Sequence, residues 1–359
     1  MLSPAGLNAT ATIAALLLSI TTQPVKSNSW EVRAWQRPFD YASEARHITY
    51  TPLAQAQHDW QLCAVYPHLK DSYWLSVNYG MVSMARSLGV GLQIYEAGGY
   101  PNLERQRSQL QDCADSDADA IILGSVSYGD LSDTVVEIAR EMPVIATVND
   151  IANAGITAKV GVPWTEMGRA PAQYLAEHHP LDTEAVNVAW FPGQGGWTHF
   201  VEQGFHETLE ASSARIVTTQ WGDTGMETQH LLLEEVLDNH PDIDYAVGSA
   251  VMAETATGLL RARDRQGDIG LLATYFTHGV YRGIKRGKIL AAPNDYPALQ
   301  GRLSVDMAVR VLQDEMISRH VGPVVDTVDT GSVNMIDLDQ SLSPATFTPV
   351  FAVNIDVAD

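Results

Sequence analysis

The sequence has 359 residues, 45% of them apolar, which is enough for two domains with sizeable cores. Acidic residues outnumber basic ones 43 to 22, for a formal charge of -21, so binding to phosphate backbones or to anionic lipid surfaces is not expected. The one basic cluster, Arg282, Lys285, Arg286 and Lys288, falls at a helix end, where cations suit the helix dipole.

In chain order, residues 11–20 (ATIAALLLSI) come first, an apolar and uncharged run too short to span a bilayer. It matches a signal-peptide core, and a signal segment is expected within 1–29. Residues 1–10 carry no Lys or Arg, and no clean Ala-x-Ala site follows. Residues 30–60 read as an irregular lead-in containing Pro38 and Pro52. From Gln61 the pattern becomes regular. Strands are predicted at 61–66, 91–96, 120–123, 143–148 and 158–162, with helices at 74–87, 103–113 and 131–140 between them. The rhythm restarts with a helix at 166–177 and strands at 185–191, 215–219, 245–248, 270–275 and 289–292. Helices at 199–211, 227–239, 250–264, 281–287 and 300–313 complete it. Strands alternating with helices of this length imply parallel βαβ units.

The expected architecture is α/β, with two doubly wound Rossmann-like lobes joined by a multi-strand hinge. Lobe 1 is assigned to 61–163 and 277–315, and lobe 2 to 164–276 and 316–359. Two cysteines are present, Cys63 and Cys113. Cys63 opens the first strand, and the helix ending at Cys113 crosses back over that strand. The two thiols should therefore meet at the edge away from the cleft, and a disulfide is predicted.

Ligands of open α/β sheets sit outside the carboxyl ends of the strands. Those positions hold Asp71, Tyr73, Trp74, Tyr100, Asp150, Trp164, Tyr275 and Asp295, and also the run Gly193-Gln-Gly-Gly-Trp197. Arg is absent from these loops and Lys70 is the only Lys, so an Arg fork for a carboxylate or phosphate ligand is missing. Aromatic faces beside a carboxylate suit a methylated, positively charged nitrogen, at roughly 0.5–2 kcal/mol per cation–π contact. Gly193 to Gly196 lacks the spacing of a dinucleotide loop and reads as a tight turn. His178 and His179 lack a metal-binding partner pattern, and no nucleophile elbow occurs. No catalytic residues, metal or cofactor are expected, and the chain does not read as an enzyme.

The run LCAVYPHLKDSYWLSVNYGM at 62–81 resembles the TorT family, the periplasmic proteins of trimethylamine N-oxide (TMAO) respiration. So do EAGGY at 96–100, VGVPW at 160–164, GSAV at 248–251, HGVYRG at 278–283 and SLSP at 341–344. The rest of the scaffold is similar to the type I periplasmic sugar-binding proteins. The resemblance implies a periplasmic sensor that closes on TMAO and signals through a TorS-like membrane histidine kinase. It places the ligand cage on Asp71, Tyr73, Trp74, Tyr100, Trp164 and Tyr275, the residues that the strand-end survey also selects; Asp295 comes from that survey alone. The segment upstream of 11–20 and the loop at 125–129 depart from the family pattern. The alternative is the solute-binding component of an ABC importer for a sugar or an autoinducer. A transcription regulator with the same lobes would need a helix-turn-helix before Gln61, where this chain has its lead-in.

Overall fold

The computed structural model describes residues 29–354. The expected signal segment lies almost wholly outside the described residues. In chain order the first lobe begins with β1 (Trp30–Trp35), β2 (Ala45–Tyr50) and β3 (Gln61–Tyr66). It continues with α1 (Ser72–Leu88), β4 (Gly91–Glu96), α2 (Leu103–Ala114) and β5 (Ala120–Leu123). Then come α3 (Ser132–Ile138), β6 (Val144–Val148) and β7 (Ala158–Gly161). The chain crosses to the second lobe for α4 (Trp164–His178), β8 (Asn187–Phe191), α5 (Thr198–Leu209) and β9 (Arg215–Thr219). There follow α6 (Met226–Asn239), β10 (Tyr245–Gly248), α7 (Ala250–Ala262) and β11 (Gly270–Ala273). Next are α8 (His278–Lys285), β12 (Ala291–Asn294), α9 (Pro297–Leu312) and β13 (His320–Pro323). The chain ends in β14 (Asp326–Asp329), α10 (Leu338–Ser341) and β15 (Ala352–Val353).

Two sheets result. The nine-stranded sheet runs β15-β4-β3-β5-β6-β7-β13-β1-β2, and the six-stranded one runs β14-β12-β11-β10-β8-β9. Central strands such as β3 and β5 are buried over almost their whole length, as near-continuous apolar runs covered on both faces must be. The sheet order confirms the doubly wound reading. With β3 between β4 and β5, helix α2 must cross β3. Cys63 and Cys113 are accordingly bonded, with Cα atoms 5.8 Å apart. The bond closes a 50-residue separation, for which loop entropy suggests about 4 kcal/mol.

The chain is partitioned differently from the sequence expectation in three places. Residues 30–60 are an irregular lead-in only in part: β1 and β2 form an antiparallel hairpin that extends the first sheet beside β13, and 51–60 carry no helix or strand. Trp30 and Val32 alternate inward along β1, a period-two signal inside a short segment. The second crossing falls after β12, not near residues 275–279. Strand β12 pairs parallel to β11, which makes α8 the crossover of that unit and keeps both in lobe 2. Within residues 277–315, α9 is the element that lies in lobe 1, packing along α1. The segment assigned to lobe 2 after residue 315 is split, with β13 and β15 in the first sheet and β14 in the second. The lobes are therefore joined by four crossings: the connections β7–α4, β12–α9 and β13–β14, which form the hinge, and the return from β14 to α10 and β15. Tyr296, at the second of these, adopts φ 54°, a left-handed conformation rare for a non-glycine residue. Its hydroxyl donates to Asp326 Oδ2 at 2.5 Å, on the third connection.

Candidate functional site: an aromatic chamber between the lobes

The strand ends of the two sheets face each other and enclose a chamber. Asp71, Tyr73 and Trp74 enter from the start of α1 and Tyr100 from the loop after β4. Asn149 follows β6 and Trp164 opens α4; Trp197, Thr224 and Tyr275 come from the second lobe. Among the described residues, the lining contains six aromatic rings and one charged group, Asp71. Its free volume is only about 10 Å³, roughly the space one water needs, so the rings close on one another.

Asp71 is the N-cap of α1, and its Oδ1 accepts from the backbone N–H groups of Tyr73 at 3.1 Å and Trp74 at 3.2 Å. That bond fixes where both rings emerge. Burial raises the Asp71 carboxyl above its usual range, against the opposing pull of His68 and the two backbone N–H groups. Trp74 stacks on Tyr66 at 5.2 Å and meets Tyr73 edge-on at 6.0 Å. Tyr73 meets Tyr275 edge-on at 5.4 Å, and Trp197 lies 4.8 Å from Trp164 and 5.9 Å from Tyr275.

The hydrogen bonds divide the rings into spent and spare donors. The Trp164 indole N–H donates to the Val148 carbonyl at 3.0 Å, which leaves only its face for a ligand. Val148 itself has φ 63°, an outlier for a β-branched residue and a mark of strain beside the site. Tyr73 donates to Asp295 Oδ2 at 2.6 Å. Tyr100 accepts from Trp74 Nε1 at 3.5 Å and Asn149 Nδ2 at 3.3 Å, so its own proton is free to be given. The Tyr275 hydroxyl and the Trp197 indole N–H are buried without a partner among the described residues. Burial pushes the Tyr73, Tyr100 and Tyr275 phenols upward, so they remain protonated donors.

Six of the expected site residues, Asp71, Tyr73, Trp74, Tyr100, Trp164 and Tyr275, come together here. Asp295 stands behind the wall. Its Oδ2 is held by Tyr73 and by Gln300 Nε2 at 2.7 Å, so it positions Tyr73 instead of lining the chamber. Asp150 pairs with buried Lys159 and is likewise outside the lining. Trp197, Asn149 and Thr224 complete the lining. Trp197 lies within the glycine run expected to be a plain turn. Gly195 there has φ 148°, and a Cβ on it would sit 2.6 Å from the Trp197 indole nitrogen and 2.8 Å from Tyr100. The glycine is what admits the ring, and its position after a strand was the available signal.

The profile of the family described as "Periplasmic binding proteins and sugar binding domain of LacI family" matches residues 59–335. The curated periplasmic protein TorT of Escherichia coli K12 is 40% identical over 316 residues, 86% of this chain and 90% of that protein. The chain belongs to the TorT family of periplasmic binding proteins. Two solved structures are similar to this chain. One is a complex of the TorS sensor domain with TorT in the presence of TMAO; its matching chain is 42% identical, with TM-score 0.75, covering 82% of this chain and 100% of that one. The other is an ABC transporter solute-binding protein from Bradyrhizobium sp. BTAi1 with bound Bis-Tris, 41% identical, with TM-score 0.77, covering 90% and 98%. A TorT-family chain is a binding protein, and the chamber needs no catalytic group.

Proposed function

We propose that this protein is a periplasmic sensor that closes on trimethylamine N-oxide and reports it to a TorS-like histidine kinase. The chamber carries the reading. Six ring faces surround a space with no Arg or Lys among its described lining, and three donors remain to be given: Tyr100, Tyr275 and Trp197. TMAO has three methyls on a formally positive nitrogen and one formally negative oxygen. The methyls match the ring faces and the oxide matches the donors. Asp71 faces the methyl side, since a carboxylate beside the oxide would repel it. TorT, at 40% identity, and its complex with the TorS sensor domain in the presence of TMAO support the ligand and the partner.

The importer alternative has one specific observation behind it, the solute-binding protein with Bis-Tris at 41% identity. A sugar, however, would need polar groups around its hydroxyls, and this chamber offers mostly ring faces. Calorimetric titration with TMAO and ribose separates the readings. Heat with TMAO and none with ribose is expected, and TMAO should alter co-elution with a TorS-type sensor domain. Preference for ribose would reject the sensor reading.

A further inference from the structure

The free volume of the cleft lies mainly outside the rings. A pocket of about 340 Å³ adjoins the chamber, and Asp71 and Thr224 line both. It is built from the start of α1, from α7 and α8, and from the chain around Ser343. That last segment is docked on lobe 1 by Ser343 N donating to Ser76 Oγ at 3.1 Å, and His278 Nε2 of α8 reaches the Ser343 carbonyl at 2.7 Å. The wall is polar in a particular way. Ser343 is 4% exposed, and its hydroxyl has no partner among the described residues; neither has His278 Nδ1. Glu254 receives the Thr277 hydroxyl, and burial raises its carboxyl above the usual range.

We propose that this pocket is an antechamber of the ligand site and takes the hydroxylated arm of a methylated ammonium compound, a proposal that rests on the function above. The rings must part to admit the trimethylated head, whose charge then lies near Asp71, and the arm passes between Asp71 and Thr224. A hydroxyl can donate to Glu254 or Ser343 and accept from Ser343 or Arg282, so it suits a wall with both kinds of partner. A carboxylated arm is less suited. Lys70 is already paired with Asp223 at 3.3 Å, which leaves Arg282 to offset both Asp71 and Glu254. TMAO has no arm and leaves this pocket alone.

The test is calorimetry of the purified full chain with TMAO, choline and glycine betaine, repeated on Glu254→Gln and Ser343→Ala. Choline should bind, and more tightly than betaine. Each variant should weaken choline by about fivefold or more while holding TMAO within about twofold. Glu254→Gln could disturb Thr277, the N-cap of α8. Ser343→Ala removes only an unpartnered hydroxyl, so it keeps the test decisive. Absence of choline binding in a sample that binds TMAO, tighter binding of betaine, or parallel changes for TMAO and choline in both variants would overturn the antechamber. Absence of TMAO binding would instead overturn the function proposed above.

Discussion

Each ring of the chamber does one of two jobs, and the hydrogen bonds tell which. Trp164 has given away its N–H and offers a face, whereas Trp197 and Tyr275 keep a donor. Trp197→Ala removes both a face and a donor, and it should weaken TMAO by more than Trp164→Ala. Each loss should be at least about 1 kcal/mol, roughly fivefold, by calorimetry. Equal wild-type affinities in both variants would contradict the cage. Asp295 makes a different kind of prediction. Burial lifts its carboxyl from 3.8 to about 6, against the hydrogen bonds from Tyr73 and Gln300. The folded value lies above the unfolded one, so this group's stabilisation is complete below about pH 3.8 and lost as pH rises through about 6. At neutral pH the ionised group costs the fold on the order of 3 kcal/mol. Asp295→Asn keeps an oxygen for Tyr73 and Gln300 and cannot ionise. Its melting temperature should exceed the parent's at pH 8, with the advantage shrinking toward pH 4. A constant difference across that range would show that Asp295 does not titrate as described.

At the scale of elements, the position of Trp164 depends on how α4 meets α5. The two helices touch backbone to backbone: a Cβ on Gly168 would sit 1.9 Å from the Val201 carbonyl oxygen, and one on Gly204 would sit 1.9 Å from that of Thr165. Gly204→Ala must push α5 off the first turn of α4, which carries Trp164. A stability loss of about 1–3 kcal/mol in urea is expected, together with weaker TMAO binding by the protein that still folds. Gly258→Ala, in α7 with open space around it, is the control and should hold or slightly raise stability. Unchanged stability and affinity in Gly204→Ala would mean that this close approach does not fix the ring.

For the whole molecule, closure is held by a few contacts between lobes. Arg33 on β1 grips Glu166 on α4 with two bonds of 2.8 and 2.6 Å. Lys70 reaches Asp223 at 3.3 Å, and Gly196 N donates to the Val126 carbonyl at 3.3 Å. Tyr128 of lobe 1 packs edge-on against His199 and Phe200 of lobe 2. The net charge of -21 therefore acts on partners and on ligands with net charge, and has little hold on a neutral ligand enclosed by rings. The TMAO dissociation constant should change by less than about twofold between low and moderate salt. A steep salt dependence would point to a charged ligand or to Lys70–Asp223 as the controlling contact.

Much of this was written locally. The period-two and period-3.6 patterns announced the βαβ units, and winding order alone brought Cys63 to Cys113. The rule that ligands sit at strand ends, combined with the aromatic and acidic side chains found there, picks out six of the nine chamber residues. The short alternation in β1 was legible as well, but Pro38 and Pro52 around it suggested an irregular segment. Other features were not local. Sheet membership of β12, β13 and β14 depends on which strand edge is free once the others have paired, and short strands carry no label for that choice. Asp295 follows a strand as Asp71 does, yet one is spent behind a tyrosine and the other faces the chamber. Only the meeting of α1 with the second hinge connection separates them. Trp197 reached the site because a glycine left room beside Tyr100, a distance between two lobes. Sequence by itself determined the elements, the winding and the kind of side chain at each strand end, because those follow from nearest neighbours and periodicity. Tertiary structure decided which of those side chains face the ligand and which N–H groups remain to be given, because both depend on atoms brought together from distant parts of the chain.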